Sequence, residues 1–140
     1  EEQWLAIGEG ATGVFWFIYS SEQGWTGLQD NPALFSEVSS LAQRIKPLRS
    51  LLVTLSKTTD QFAVSGSAGP AYASTLTNDA GSQTYVVAVN KQCAAQDLTL
   101  SPISGQKQLR DLETGQIYST GSALPFQAGD GRIFEVMPGF

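Results

Sequence analysis

Histidine is absent from the 140 residues of this chain, and cysteine occurs once, at Cys93. Without histidine, the chain cannot form a Ser-His-Asp or Cys-His relay, or a metal site with imidazole ligands. A single cysteine permits neither an intrachain disulfide nor a cysteine metal cluster. These absences exclude the commonest forms of nucleophilic catalysis and of transition-metal chemistry.

Charged residues are scarce too, at 15% of the chain. The chain has eight Lys and Arg residues and thirteen Asp and Glu residues. The basic residues are scattered from Arg44 onwards, whereas nucleic acids and anionic membranes bind clustered positive charge. The longest apolar run, Val14–Tyr19, is far shorter than the roughly 20 residues of a transmembrane helix. We therefore expect neither a nucleic acid nor a membrane as a partner.

Apolar residues, in contrast, are plentiful enough for a core, since 41% of the chain is hydrophobic. This composition is typical of globular proteins and unlike that of highly charged disordered segments. The length suits one domain, or a small domain with an appendage, and is well below the ~250 residues of a complete (β/α)₈ barrel.

The sequence pattern changes near position 56. Residues 1–56 predict a helix-strand-helix segment, and residues 57–140 predict an antiparallel β-sandwich domain. A first helix is indicated up to Ile7, with Trp4 in the core and glycines as stop signals. The run Gly13–Tyr19 is continuously apolar. It favours a strand buried on both faces, as strands of parallel sheets are.

A second helix is predicted from Pro32, because Asp30 or Asn31 can cap it and proline suits the first turn. Apolar residues recur along it at spacings of three and four, which is typical of a helix with one buried stripe. These residues are Leu34, Val38, Leu41, Ile45, Leu48 and Leu52. Pro47 interrupts the stripe and should kink or restart the helix, so two helical pieces are expected.

Beyond Gln61, apolar and polar residues alternate in short runs separated by clusters of Gly, Ser, Asn and Asp. Such runs, with no helix between them, predict about eight short strands. The predicted strands are 62–65, 71–77, 84–90, 98–100, 107–111, 117–118, 124–127 and 132–136. The predicted fold class is therefore mainly β, an antiparallel β-sandwich preceded by the helix-strand-helix segment.

The order of several stretches carries a family resemblance. These stretches are Gly10–Tyr19, Leu28–Pro32, Leu41–Leu48, Tyr85–Asn90, Leu109–Gly115, Leu124–Phe126 and Gly131–Val136. In that order they resemble the last strand and helix of a glycoside hydrolase (β/α)₈ barrel, followed by the C-terminal β-sandwich of such enzymes. The resemblance covers nearly the whole chain and rests on the ordered set rather than on a single motif. It implies that residues 1–56 are a remnant of the barrel.

The resemblance also implies what this chain lacks. Many retaining glycosidases of this barrel type place two catalytic glutamates at the ends of the fourth and seventh strands, roughly 5–5.5 Å apart. A chain that starts after the seventh strand has neither. We therefore expect this chain alone to be inactive, and its protein partner to be the missing barrel portion or a second copy of the chain.

Aromatic residues near the end of the predicted strand are the candidate substrate contacts. Trp16 and Tyr19 lie on the strand, and Trp25 lies in the following loop with glycines close by on both sides. In barrels of the family that the chain resembles, aromatics here form the wall of a sugar subsite. Trp16, Tyr19 and Trp25 are therefore predicted to contact an oligo- or polysaccharide. For Trp16, a place in the core is the alternative.

Glu22 is the one carboxylate that we consider for catalysis, since it follows the strand at the edge where barrel active sites collect. A solvated residue of a polar Ser-Ser-Glu-Gln loop is the alternative. The acidic residues of the later turns lack the dense spacing of a calcium loop. Neither a metal nor a cofactor is predicted.

Two other functions fit the same sequence. One is a stand-alone carbohydrate-binding β-sandwich whose helical segment only packs on the sheet. The other is a small glycosidase that uses Glu22 with a second carboxylate. Assays of oligosaccharide binding and of hydrolysis separate both from the support of a catalytic barrel.

Overall fold

The computed structural model describes residues 1–15, 19–24 and 26–139. They form three layers, which are a layer of helices, a six-stranded sheet and a three-stranded sheet. All strand pairs of both sheets are antiparallel. The prediction of a mainly β protein with an antiparallel sandwich is therefore confirmed.

The helix layer contains α1 (Glu2–Gly8), α2 (Pro32–Ile45) and α3 (Arg49–Leu52). Short 3₁₀ turns precede α2 at Leu28–Asp30 and join it to α3 at Lys46–Leu48. Within the described ranges, no helix is both long and apolar enough to cross a bilayer.

The helix boundaries agree with the capping signals of the sequence. Gly10, just beyond α1, has a φ of +94°, a conformation that favours glycine. Asn31 Oδ1 accepts a hydrogen bond from Leu34 N at 3.1 Å and so caps α2. Pro47 lies in the turn between α2 and α3, which confirms the expected two helical pieces.

All eight predicted strands are present, with small shifts at their ends. The strands are β1 (Leu55–Lys57), β2 (Phe62–Gly66), β3 (Ala71–Asn78), β4 (Thr84–Asn90), β5 (Gln96–Pro102), β6 (Lys107–Asp111), β7 (Ile117–Ser119), β8 (Ala123–Phe126) and β9 (Gly131–Pro138). Sequence reasoning missed β1. It has three residues, of which only Leu55 is buried, so no alternation marks it.

The strand order is β1-β3-β4-β9-β6-β7 in the larger sheet and β2-β5-β8 in the smaller one. Strand β4 lies inside the larger sheet, and its residues from Tyr85 to Asn90 are all buried. Val86 and Ala88 face the smaller sheet, while Tyr85, Val87 and Val89 face the helices. The larger sheet is therefore covered on both faces along this strand.

Two hydrophobic cores follow from this layering. The inter-sheet core consists of Phe62, Val86, Ala88, Leu98, Leu100, Leu109, Leu124, Phe126 and Phe134. The helix core consists of Trp4, Ile7, Leu48, Leu52, Leu55, Leu76, Tyr85, Val87, Val89 and Ile133. Trp4 thus has the core position expected from the sequence, and the helix core draws residues from both 1–56 and 57–140.

The structure differs from the prediction over Gly13–Tyr19. Residues 13–15 and 19 form no strand, and Phe15 is 88% exposed and Tyr19 58% exposed. The prediction of a strand buried on both faces is wrong for these four residues. Trp16, Phe17 and Ile18 lie outside the described residues. A buried strand needs neighbouring strands, and both sheets are built from strands that begin at Leu55 or later.

Helix α2 is packed along only part of its apolar stripe. Leu41 and Ile45 are half-buried against the helix core, whereas no residue of α2 is fully buried. Leu34 and Phe35, in the first turns, are each 46% exposed. The stripe predicted from the sequence is therefore open to solvent at its N-terminal end.

Candidate functional site

Tyr19 is the one predicted sugar contact that the structure describes. Its ring lies edge-on to that of Phe35, with centroids 6.4 Å apart and planes inclined by 67°. Trp16 and Trp25 lie outside the described residues. The exposed Tyr19 ring is accessible to a ligand, and its sugar-binding role stays a prediction.

The loop after Tyr19 folds back on the Tyr19 backbone. Gln29 N donates a hydrogen bond to Tyr19 O at 3.0 Å, and Gly27 N donates one to Ser21 Oγ at 2.8 Å. A Cβ at Gly27 would lie 2.5 Å from Tyr19 O, so this close approach requires glycine. These contacts place the 3₁₀ turn Leu28–Asp30 beside Tyr19.

Glu22, the carboxylate considered for catalysis, is exposed in this loop. None of the salt bridges in the described part of the chain includes it. Nor do the described residues contain a group of three or more Cys, Asp and Glu that suits a metal ion. Glu22 has the surroundings of a solvated loop residue, and its catalytic role stays a prediction.

Arg44 of α2 joins the helix layer to the sandwich. Its Nε and Nη2 donate to the two Glu113 carboxylate oxygens at 2.7 and 2.9 Å. Nη1 donates to Asp130 Oδ1 at 2.8 Å, and Nη2 also donates to Gly131 O at 3.0 Å. The bonds to Glu113 and then to Asp130 raise the pKa of Arg44 above its already high ordinary value. The cation is therefore permanent.

Trp4 lies directly against this ion cluster. The guanidinium carbon of Arg44 is 5.3 Å from the centre of the Trp4 ring, a cation-π distance. On another side, a Cβ at Gly131 would lie 2.5 Å from Trp4 Cβ, so strand β9 approaches α1 as closely as glycine allows. The geometry holds both α1 and α2 on the larger sheet.

Sequence reasoning did not single out Arg44. Its spacing on α2 is that of an ordinary polar-face residue, and only the fold brings it to Glu113 and Asp130. The available signal was the position of those two carboxylates in Gly-containing turns, which project from strand ends and can meet a helix.

A second polar cluster joins α1 to the edge of the larger sheet. Lys57 Nζ donates to Glu9 Oε2 at 2.7 Å, and Tyr72 Oη donates to Glu9 Oε1 at 2.5 Å. The hydrogen bond from Lys57, followed by that from Tyr72, lowers the pKa of the Glu9 carboxyl below its ordinary value of 4.5. Burial, followed by the Glu9 contact, raises the pKa of the Tyr72 hydroxyl.

A cleft of about 320 Å³ lies between α1, residues 11–14, α2 and α3. We name it the helix cleft, and it is lined by Gln3, Ile7, Ala11, Thr12, Gly13, Val14, Ala42, Ile45, Lys46, Arg49 and Leu52. Gln3 is only 8% exposed, and its Oε1 has no hydrogen-bond partner. Lys46 and Arg49 are exposed and belong to none of the salt bridges formed by the described residues.

Large apolar side chains are exposed on the same layer. We name them the helix-layer patch, and they are Val14, Phe15, Tyr19, Leu34 and Phe35, with exposed fractions of 38%, 88%, 58%, 46% and 46%. Of these, Tyr19 and Phe35 are in contact, and adjoining exposed apolar side chains are a mark of an interaction surface, whereas single exposed apolar residues are ordinary.

In comparisons with known proteins, no family model, no curated protein and no solved structure matches this chain.

Proposed function

We propose that this chain is the C-terminal part of a glycoside hydrolase-like protein. In this proposal the helix layer adjoins a catalytic barrel, and the β-sandwich supports that barrel without a complete catalytic site of its own. The order of the sequence stretches that resemble such enzymes motivates it. Its support in the structure comes from the different packing of the two faces of the helix layer.

The observation that carries the proposal is the incomplete packing of α2. Its C-terminal half packs on the helix core, while Leu34 and Phe35 are 46% exposed and Tyr19, whose ring contacts that of Phe35, is 58% exposed. Each Å² of apolar surface that is removed from water stabilises a protein by roughly 25 cal/mol, and this stabilisation is missing where the surface stays exposed. A barrel against the helix layer would remove this surface from water.

The other side of the layer is suited to a supporting role. Arg44 bonds Glu113 and Asp130 through charged hydrogen bonds, and Trp4 is 1% exposed beneath it. Because α1 and α2 are fixed to the sheet, a barrel packed on these helices would be held in one orientation relative to the sandwich. Substrate contact through the exposed Tyr19 ring would then lie at the boundary between barrel and helix layer.

Expression of the complete coding sequence that contains these residues tests the proposal. The complete protein should hydrolyse aryl glycosides or oligosaccharides, and the 140-residue chain alone should not exceed a buffer control.

Two outcomes would contradict it. Hydrolysis by the 140-residue chain that disappears in Glu22→Gln would show a small glycosidase. Oligosaccharide binding by the chain, together with a complete coding sequence that encodes no barrel, would show a stand-alone carbohydrate-binding module.

A further inference from the structure

The helix cleft combines two features that point to an occupant. Its walls are largely apolar, and Ile7 and Leu52 are 2% and 5% exposed. Gln3 also lines the cleft, but its Oε1 is closed off from solvent and is not a contact for an occupant.

Charge adds a second requirement. Of the eight basic residues, four (Arg44, Lys57, Arg110 and Arg132) form salt bridges with carboxylates of the described part of the chain. Lys46 and Arg49 do not, and both line the helix cleft. Two cations beside an apolar cleft complement a partner that carries an acidic group.

The apolar surface extends beyond the cleft, which favours a polypeptide over a small molecule. Val14 lines the cleft, and the adjoining Phe15 is 88% exposed. A small ligand in a pocket is largely enclosed, whereas a chain segment can fill the cleft and also cover its surroundings.

We propose that the helix cleft holds an apolar polypeptide segment of the catalytic barrel, which pairs a carboxylate with Lys46 and Arg49. This inference rests on the proposed function and adds the place and the chemistry of the contact. In this arrangement the barrel contacts the helix cleft rather than the sandwich.

Thiol labelling of Ala42→Cys tests this inference. Ala42 is exposed in the isolated chain and lines the cleft, and the exposed natural thiol of Cys93 is an internal control far along the sequence. A maleimide should label position 42 rapidly in the 140-residue chain and at least tenfold more slowly in the complete protein. The labelling rate of Cys93 should be the same in both.

Charge reversal provides the matched test of partner chemistry. In the complete protein that carries Ala42→Cys, adding Lys46→Glu and Arg49→Glu together should weaken the contact with the barrel segment. Position 42 should then be labelled at least threefold faster than in the complete protein without these two charge reversals. Lys91→Glu, on a cation outside the cleft and outside the described salt bridges, should leave the rate unchanged.

Each other outcome has a definite meaning. Rapid labelling of position 42 in a complete protein that hydrolyses glycosides would overturn this inference and leave the proposed function standing. A complete coding sequence without a barrel would overturn both. Protection of position 42 in the isolated chain, with a dimer in sedimentation, would assign the cleft to a second copy. Protection by a bound small molecule, detected by native mass spectrometry, would make it a ligand pocket.

Discussion

Trp4, Arg44 and Gly131 meet at one point of the structure, although they lie far apart in the sequence. The Trp4 ring fills the space between the Arg44 guanidinium and the backbone of β9. A charged group packed on an indole can be held there because its donors reach carboxylates on the sandwich. The contact therefore depends on the planar shape of the guanidinium as well as on its charge.

Arg44→Lys should lower the free energy of unfolding by about 1–2 kcal/mol, because an ammonium cannot reproduce the two-pronged bond to Glu113. The loss of stability is small because the Arg44 side chain is 36% exposed and water screens its ion pairs. Urea unfolding measures it. Arg49→Lys is the matched control, and equal losses in the two variants would show that the bonds of Arg44 add nothing.

Tyr19→Ala should weaken binding of an oligosaccharide by the chain roughly twofold to twelvefold, the range that corresponds to about 0.5–1.5 kcal/mol for an aromatic contact. The midpoint of thermal unfolding should change little because the ring is exposed. Tyr19→Phe retains the ring and should bind almost normally. Titration followed by calorimetry measures this, and unchanged binding by Tyr19→Ala would remove Tyr19 from the sugar contact.

Among the elements, α1 is attached at both of its ends. Near its N-terminus, Trp4 packs against β9, and just after its C-terminus, Glu9 bonds Lys57 of β1 and Tyr72 of β3. Gly8 lets the helix approach that strand, since a Cβ there would lie 2.7 Å from Tyr72 Cε1. A helix of 7 residues is too short to be stable in isolation, so these contacts with the sheet stabilise it.

The contacts of Glu9 with Lys57 and Tyr72 should make the free energy of unfolding depend on pH. Because the pKa of Glu9 is lower in the folded chain than its ordinary value of 4.5, the cluster contributes fully above that value. The contribution is lost as the pH falls through the lower folded-state pKa. The parent chain should therefore lose more stability than Glu9→Gln between pH 7 and pH 3, as followed by urea unfolding.

Glu37→Gln is the control for that comparison, since Glu37 is exposed and forms no salt bridge with the described residues. It should show the same acid sensitivity as the parent. An identical response of Glu9→Gln and the parent would mean that the cluster does not contribute to folding.

Local signals predicted most of the elements. Alternation and the turn residues between them marked most strands from Phe62 onwards, and Asn31, Pro32 and Pro47 marked the ends of the helical pieces. Such signals depend only on a few neighbouring residues, so they do not require a particular tertiary environment. The run Gly13–Tyr19 is different, because a strand buried on both faces exists only where other strands flank it.

The candidate site was predictable to a smaller extent. Tyr19 was predicted as a sugar contact because it ends the apolar run, and the structure leaves its ring exposed, while the contact itself stays a prediction. Arg44, Gln3 and the helix cleft were not found. Each depends on residues that only the tertiary fold brings together, and neither spacing nor composition along the chain reports such contacts.

For the whole molecule, the sharing of the larger sheet between two cores predicts cooperative unfolding. The helix core mixes Trp4, Ile7 and Leu52 with Val87 and Ile133 of the sandwich. Residues 1–56 and 57–140 should therefore unfold together in one transition, with far-UV circular dichroism and the thiol reactivity of Cys93 giving the same midpoint. Two separate midpoints would show that the two segments are independent domains.

The contact between Trp4 and Gly131 also has a consequence for synthesis. On the ribosome, the first helix emerges long before β9, the strand against which its indole packs. Until then the tryptophan and the rest of the helix core have no complete surface to cover them, and closing so long a loop is slow. While residues 9–130 are being synthesised, α1 therefore remains undocked, and a chaperone or an already folded neighbour would have to cover its apolar side chains.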